Sequence, residues 1–274
     1  MSLRGALREL LPAVALRAIG RSRSAGIRFE GDYSDWDKAL QASGGYDNVS
    51  IVRKMYEAEL AVEKGEAADA RDGVVFDDMQ FSLPVLAALG RAARQVSRPL
   101  RVVDFGGAFG GSYRQYRAFY GDPVEWAIVE QPNIVRLGQE HFRNREVRFH
   151  PSLAAAVSAT PPDVVLLSSV LQYLREPYSL LAEIARSKAK HVVIDRTPCG
   201  LGGRDILAVQ HVPAEIYPAS YPCWIFSRQR LVSALSEHFT VLVSFSDGTG
   251  RWRTDVTEFE LAGFTFDRKT EIRS

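Results

Sequence analysis

Leu100-Arg101-Val102-Val103-Asp104-Phe105-Gly106-Gly107-Ala108-Phe109-Gly110-Gly111 decides how this chain folds. An apolar run reads as a short buried strand. A carboxylate follows, then a glycine-rich turn, then a helix expected over Ser112 to Tyr120. Glycines let the backbone take positive φ and let a ligand approach the main chain closely. The helix start offers free N–H groups and a partial positive charge to an anion. This combination predicts a nucleotide-like cofactor at the carboxyl end of the first strand of an α/β sheet.

A dinucleotide turn is normally G-x-G-x-x-G, with its acidic residue at the end of the second strand. Here Ala108 stands at the second glycine position and Asp104 immediately precedes the turn. A carboxylate there repels a pyrophosphate and suits an ammonium, such as the one on the methionine end of S-adenosylmethionine (SAM). That disfavours an NAD-linked redox enzyme. An ordinary glycine-rich loop remains the alternative for this stretch taken alone.

Further segments extend the pattern. Val124 to Val129 reads as a second strand, with Glu130 at its carboxyl end and a helix from Pro132 through Phe142. Glu130 suits ribose hydroxyls, because one carboxylate accepts two O–H donors; it also suits a helix N-terminus. Asp163 to Leu174 reads as a strand and loop carrying Ser168 and Ser169, and His191 to Pro198 as a further strand. Thr240 to Phe245 and Phe259 to Phe266 are strand-like.

Asp104-x-Gly106-x-Ala108-x-Gly110, Glu130 and the Ser168-Ser169 loop together resemble the class I SAM-dependent methyltransferases, over roughly Phe81 to Lys269. The resemblance implies an α/β, Rossmann-like sheet: mostly parallel, seven-stranded, last strand antiparallel, flanked by helices. It implies SAM as cofactor, held by Asp104, Gly106, Gly107, Ala108, Gly110, Glu130, Gln131, Ser152, Ser168 and Ser169. Gln172 and Tyr173 stand where many members carry two histidines, which excludes a histidine base at that point. Gly31-Asp32-Tyr33-Ser34-Asp35-Trp36, Gly45-Tyr46-Asp47 and Ile194-Asp195-Arg196-Thr197-Pro198 are similar to an uncharacterised methyltransferase family associated with bacterial surface-polysaccharide genes. That likeness implies a sugar or glycolipid acceptor.

The 274 residues, 46% hydrophobic and 24% charged, suit one large domain with a small cap. A net charge of +1 without a basic aromatic stripe argues against a nucleic-acid partner. Cys199 and Cys223 form no framework or C-x-x-C pair, and the five histidines lack metal-ligand spacing. A metal-free cytoplasmic enzyme fits. Residues 1–28 carry six arginines against Glu9, with leucines at helical spacing. They are either a helix packed on the protein or frayed at the terminus, or a peripheral contact to the inner face of an anionic membrane. No cleavable signal is evident. Residues 29–80 read as a helical cap, in which Ser34 can N-cap a helix running to Ala42 and Trp36 and Tyr46 either line an acceptor pocket or anchor the cap. Residues 81–274 are then the SAM-binding domain.

The acceptor is expected to be a small molecule or glycan. Its site falls at the ends of the fourth and fifth strands and in the stretch Asp195 to Phe226, which reads as a long functional loop. His211 is the first candidate for a general base and Asp195 the second, unless either is a structural hydrogen-bonding residue. Arg196 is placed to hold an anionic acceptor group or to neutralise Asp195; Tyr173, Tyr217 and Tyr221 are further acceptor contacts. The alternative function is a catalytically silent subunit built on the same fold, with an assembly or membrane-associated role.

Overall fold

The structure is a computed structural model that describes residues 26–44, 48–213 and 219–270. The basic segment 1–25 and the candidates Tyr46 and Tyr217 lie outside the described residues.

Seven strands form the central sheet: β4 (Leu100–Phe105), β5 (Val124–Val129), β6 (Val147–His150), β7 (Val164–Ser168), β8 (His191–Gly200), β11 (Phe239–Arg253) and β12 (Glu258–Arg268). Their spatial order is β6-β5-β4-β7-β8-β12-β11, and β12 alone runs against the rest. This is the mostly parallel, seven-stranded arrangement with an antiparallel last strand that the sequence implied. β7 explains itself: Val164, Val165, Leu166 and Leu167 are all fully buried, as a central parallel strand covered on both faces requires.

Alternation along the strands separates two cores. Val103, Ala127 and Val129 pack with α7 (Pro177–Arg186) and α8 (Arg228–Ser233) on one face. Val102, Trp126 and Ile128 pack with α3 (Leu83–Ala93), α4 (Gly111–Tyr120) and α5 (Pro132–Leu137) on the other. Asp104 shares the second face, two residues beyond Val102.

Two departures from the expected outline bear on the site. The stretch Asp195 to Phe226 is mostly strand: β9 (Ile206–Val212) and β10 (Ala219–Ser227) pair antiparallel, and β10 joins the end of β8. β1 (Arg28–Glu30) then adds to β9 across about 180 residues of chain. The sheet thus has ten strands, seven in the expected order and three in this extension. The segment before the domain does contain two helices, α1 (Trp36–Ala42) and α2 (Asn48–Glu63), but Asp35, not Ser34, caps the first by accepting from Lys38 N–H. It also contains a hairpin, β2 (Asp69–Arg71) and β3 (Val74–Phe76). No described helix is long and apolar enough to cross a membrane.

Candidate cofactor cleft

The turn after β4 is shaped by close approach. Gly106 sits at φ 74°, and a Cβ there would lie 2.4 Å from Val170 Cγ2. A Cβ on Gly107 would lie 2.5 Å from the Asp104 carboxylate carbon, so the backbone rests directly on that side chain. Ala108 adopts φ 49°, the left-handed region a second glycine would normally fill. Gly106 N–H is held by Val129 C=O at 2.9 Å, tying the turn to the end of β5.

Two carboxylates flank the turn. Asp104 is 1% exposed and accepts from the Trp126 indole at 3.1 Å. Burial pushes its carboxyl up to about 7, against the pull of the Trp126 bond, with nearby Glu130 adding to the rise. Glu130 accepts from Ala108 N–H at 3.2 Å through Oε1 and from Gln131 N–H at 2.8 Å through Oε2. Its carboxyl is likewise raised by burial. Each oxygen keeps a further lone pair for a ligand donor.

Both acids, with Gly106, Gly107, Ala108, Ser168 and Ser169, line one open cleft. Seven of the ten expected cofactor contacts thus share one cleft. Gly110 shapes the turn as the residue before α4, at φ 97°. Gln131 and Ser152 do not line the cleft: Gln131 orients Glu130 through its N–H, and Ser152 caps α6 (Leu153–Ala159) by accepting from Ala155 N–H.

The acceptor-side expectations divide. Asp195 is 2% exposed and accepts from Ser168 Oγ at 2.8 Å; Arg196 Nη2 donates to the same Ser168 oxygen at 3.0 Å. These three residues meet in a smaller adjoining pocket. His211 is not brought there. Alternation on β9 turns Gln210 toward Tyr173, whose hydroxyl donates to it at 3.1 Å, and turns His211 to the opposite face, 3.4 Å from Glu30. Tyr173 and Tyr221 pack edge to face, ring centroids 5.2 Å apart, and neither lines the cleft. Cys199 and Cys223 are buried thiols, Cys199 pushed up to about 12 by burial. Among the described residues, no cluster of three or more His, Cys, Asp or Glu is placed to hold a metal ion.

Sequence reasoning missed the opposite wall. Arg71, Asp72 and Gly73 at the hairpin tip, Met55 and Glu59 of α2, and Ser112 and Gln115 of α4 complete the cleft. Asp72-Gly73 was the readable signal, since Asp-Gly specifies a tight hairpin turn with two positive φ values; these are 51° and 74°.

No family model and no curated protein matches the sequence. Among solved structures, the chain is similar to the N-terminal domain of EvdMO1 with SAH bound, at 15% identity, covering 82% of this chain and 98% of that one, TM-score 0.49. It is also similar to the Burkholderia thailandensis 1,6-didemethyltoxoflavin-N1-methyltransferase, at 19% identity over 83% and 92% of the two chains, TM-score 0.46. CalS10, an amino pentose methyltransferase from Micromonospora echinaspora, matches at 14% identity over 68% and 91%, TM-score 0.43.

Proposed function

We propose that this chain is a SAM-dependent methyltransferase acting on a small-molecule or glycan acceptor. One observation carries the reading: Asp104 and Glu130 open into a single cleft beneath the Gly106–Ala108 backbone. The residues fit the cofactor. Glu130 offers lone pairs to two ribose hydroxyls, the glycine backbone leaves room for close contact, and Asp104 is a buried carboxyl that an ammonium would return to its charged form. When bound, SAM supplies an activated methyl group.

The protein's own contribution is alignment, a water-poor cavity and a place for the acceptor's proton. Asp195 is the base on this reading. Its carboxylate lines the inner pocket, is held in place by the Ser168 hydroxyl, and lies 3.5 Å from the Arg196 guanidinium, within reach of an acceptor proton delivered there. Ser168 and Arg196 position it. Tyr173 and Gln210 stiffen the extension that borders this side.

Calorimetric titration of the full chain with SAM and with NAD tests the proposal. SAM binding that is lost in Asp104→Ala and Glu130→Ala supports it, and mass spectrometry of an acceptor panel then reads the methylated product. NAD binding without SAM binding would falsify it.

A further inference from the structure

Beside the cofactor cleft, a small pocket lies between the carboxyl ends of β7 and β8 and the first turn of α3. Asp104, Glu130 and the glycine turn lie on the β4–β5 side of the cleft, and this pocket opens from its β7–β8 side, sharing Arg71, Ser112, Gln115, Ser168 and Arg196 with it. Its polar lining holds the donors Arg71, Arg196, Ser82, Ser112 and Gln115, with one carboxylate, Asp195.

Arg196 is not fully satisfied as it stands. Arg196 holds φ 49°, a left-handed backbone unfavourable for a side chain of this size and typical of functional strain. Its Nε is buried and makes no hydrogen bond, lying 3.5 Å from Asp195 Oδ2 as an ion pair without bonding geometry. Arg71 donates to Gln80 C=O at 2.9 Å through one nitrogen. Burial, and then the charge of Arg196, hold its pKa below the usual arginine value. Two guanidinium groups thus share one small volume. Asp195 pairs with Arg196 and already accepts from Ser168, while Asp72 and Asp69 of the hairpin partly offset the Arg71 charge. The Ser82 hydroxyl, at the start of α3, makes no capping bond to that helix. An oxyanion between the arginines removes their repulsion and supplies acceptors to both forks.

We propose that this pocket is an oxyanion site for the acceptor, so that the methyl acceptor is an acid bearing a carboxylate or phosphate group. The inference rests on the methyltransferase reading, because the cofactor must occupy the other half of the cleft. The acceptor's anionic group docks between Arg71 and Arg196, and this docking aligns its nucleophilic atom beside Asp195 without taking part in the bond changes.

The experiment titrates inorganic phosphate into the full chain, alone and saturated with S-adenosylhomocysteine (SAH), for the wild type and for Arg71→Met, Arg196→Met and Arg196→Lys. Circular dichroism verifies folding. The expected result is phosphate binding to the SAH complex, weakened roughly ten- to hundred-fold by either Met variant and partly restored by Lys. Phosphate that fails to bind the folded SAH complex overturns the proposal. So does a loss of SAH affinity in the Met variants that leaves 5′-methylthioadenosine binding intact, which would assign the pocket to the cofactor's own carboxylate. Absence of SAH binding to the wild type, with phosphate still bound and still lost in the variants, overturns the methyltransferase reading and leaves the oxyanion pocket standing.

Discussion

The Trp126 indole donates to Asp104 Oδ2 at 3.1 Å, joining neighbouring strands directly under the glycine turn. That bond is what keeps a fully buried carboxylate from rising further: burial raises its pKa from 3.8 to about 7, and the indole opposes the rise. A carboxyl whose folded pKa lies above its unfolded value binds more protons when folded. Its contribution to stability therefore declines as pH rises from about 4 to about 7.

Asp104→Asn removes this dependence. The three-unit shift corresponds to at most about 4 kcal/mol, so the variant should gain on the wild type between pH 5 and pH 8. Urea melts at the two pH values measure the gain. SAH binding should move the opposite way: wild-type affinity rises as Asp104 ionises near pH 7, while the variant binds weakly and without that pH step. A wild-type affinity that is flat across pH 6–8 contradicts the assignment of Asp104 to the ammonium.

Gly107→Ala places a methyl group 2.5 Å from the Asp104 carboxylate carbon, so the turn must lift. Cofactor affinity should fall by about tenfold or more, while global stability falls by only about 1–3 kcal/mol. Ala108→Gly is the control. It relieves the left-handed conformation at φ 49°, at the cost of a more flexible unfolded chain, and should leave stability within about 1 kcal/mol of wild type. SAH titration and thermal melts of both variants check the pair. Equal losses in the two would show that the turn's shape is not what the ligand requires.

The parts of the molecule that were legible in sequence are those whose contacts are local or repeat with a simple period. Val124 to Val129 could be read residue by residue because a buried parallel strand is almost wholly apolar, Glu125 being the one polar position. Glu130 followed from its place at that strand's end. The hairpin wall was lost because the segment around it is dominated by helical spacing, and six strand residues carry little periodic signal against it. β9 and β10 were read as loop because their aromatic and polar residues do not alternate cleanly. Both faces are covered, one by Ala39 and Trp36 of α1, the other by Phe29 and Phe259. His211 failed for a related reason: facing direction on β9 depends on register with β10 and β1, and both are non-local.

Arg114 anchors the missed hairpin and α2 to the helix that follows the turn. Its Nη1 lies 2.5 Å from Glu59 Oε2 and its Nη2 3.7 Å from Asp69 Oδ1, with all three side chains largely buried. Burial raises the Glu59 carboxyl, and Arg114 opposes it. Arg114→Met strands both acids and should cost about 3–5 kcal/mol, whereas Glu59→Met combined with Arg114→Met should cost less than the single change. Because an unpaired Glu59 regains stability on protonation, lowering the pH from 7 to 5 should partly rescue Arg114→Met. Denaturant melts decide the point, and a double variant less stable than the single one would contradict the stranded-charge account.

The opposite end of the sheet supplies a test in which binding should not change. Asp267, at the end of β12, accepts from Arg91 Nη2 at 2.5 Å and Nη1 at 2.8 Å, and its Oδ1 lies 2.8 Å from His191 Nδ1. Burial alone would raise this carboxyl, but the Arg91 and His191 bonds outweigh it and hold the pKa below 3.8. A depressed folded pKa gives stability that is present above the unfolded value and lost as pH falls through the folded one. The pair is about one-third exposed, so solvent screening limits the effect, and Asp267→Asn should cost on the order of 1 kcal/mol at pH 7. The cost should shrink below pH 4, where the wild-type carboxyl is itself being protonated. Because His191 opens β8 at the end away from the glycine turn, SAH affinity should be unchanged in the folded variant. Melts at pH 7 and pH 3.5, with SAH titration at pH 7, read all three outcomes. A loss of affinity without a loss of stability would mean that the bottom of β8 communicates with Asp195 and Arg196 at its far end.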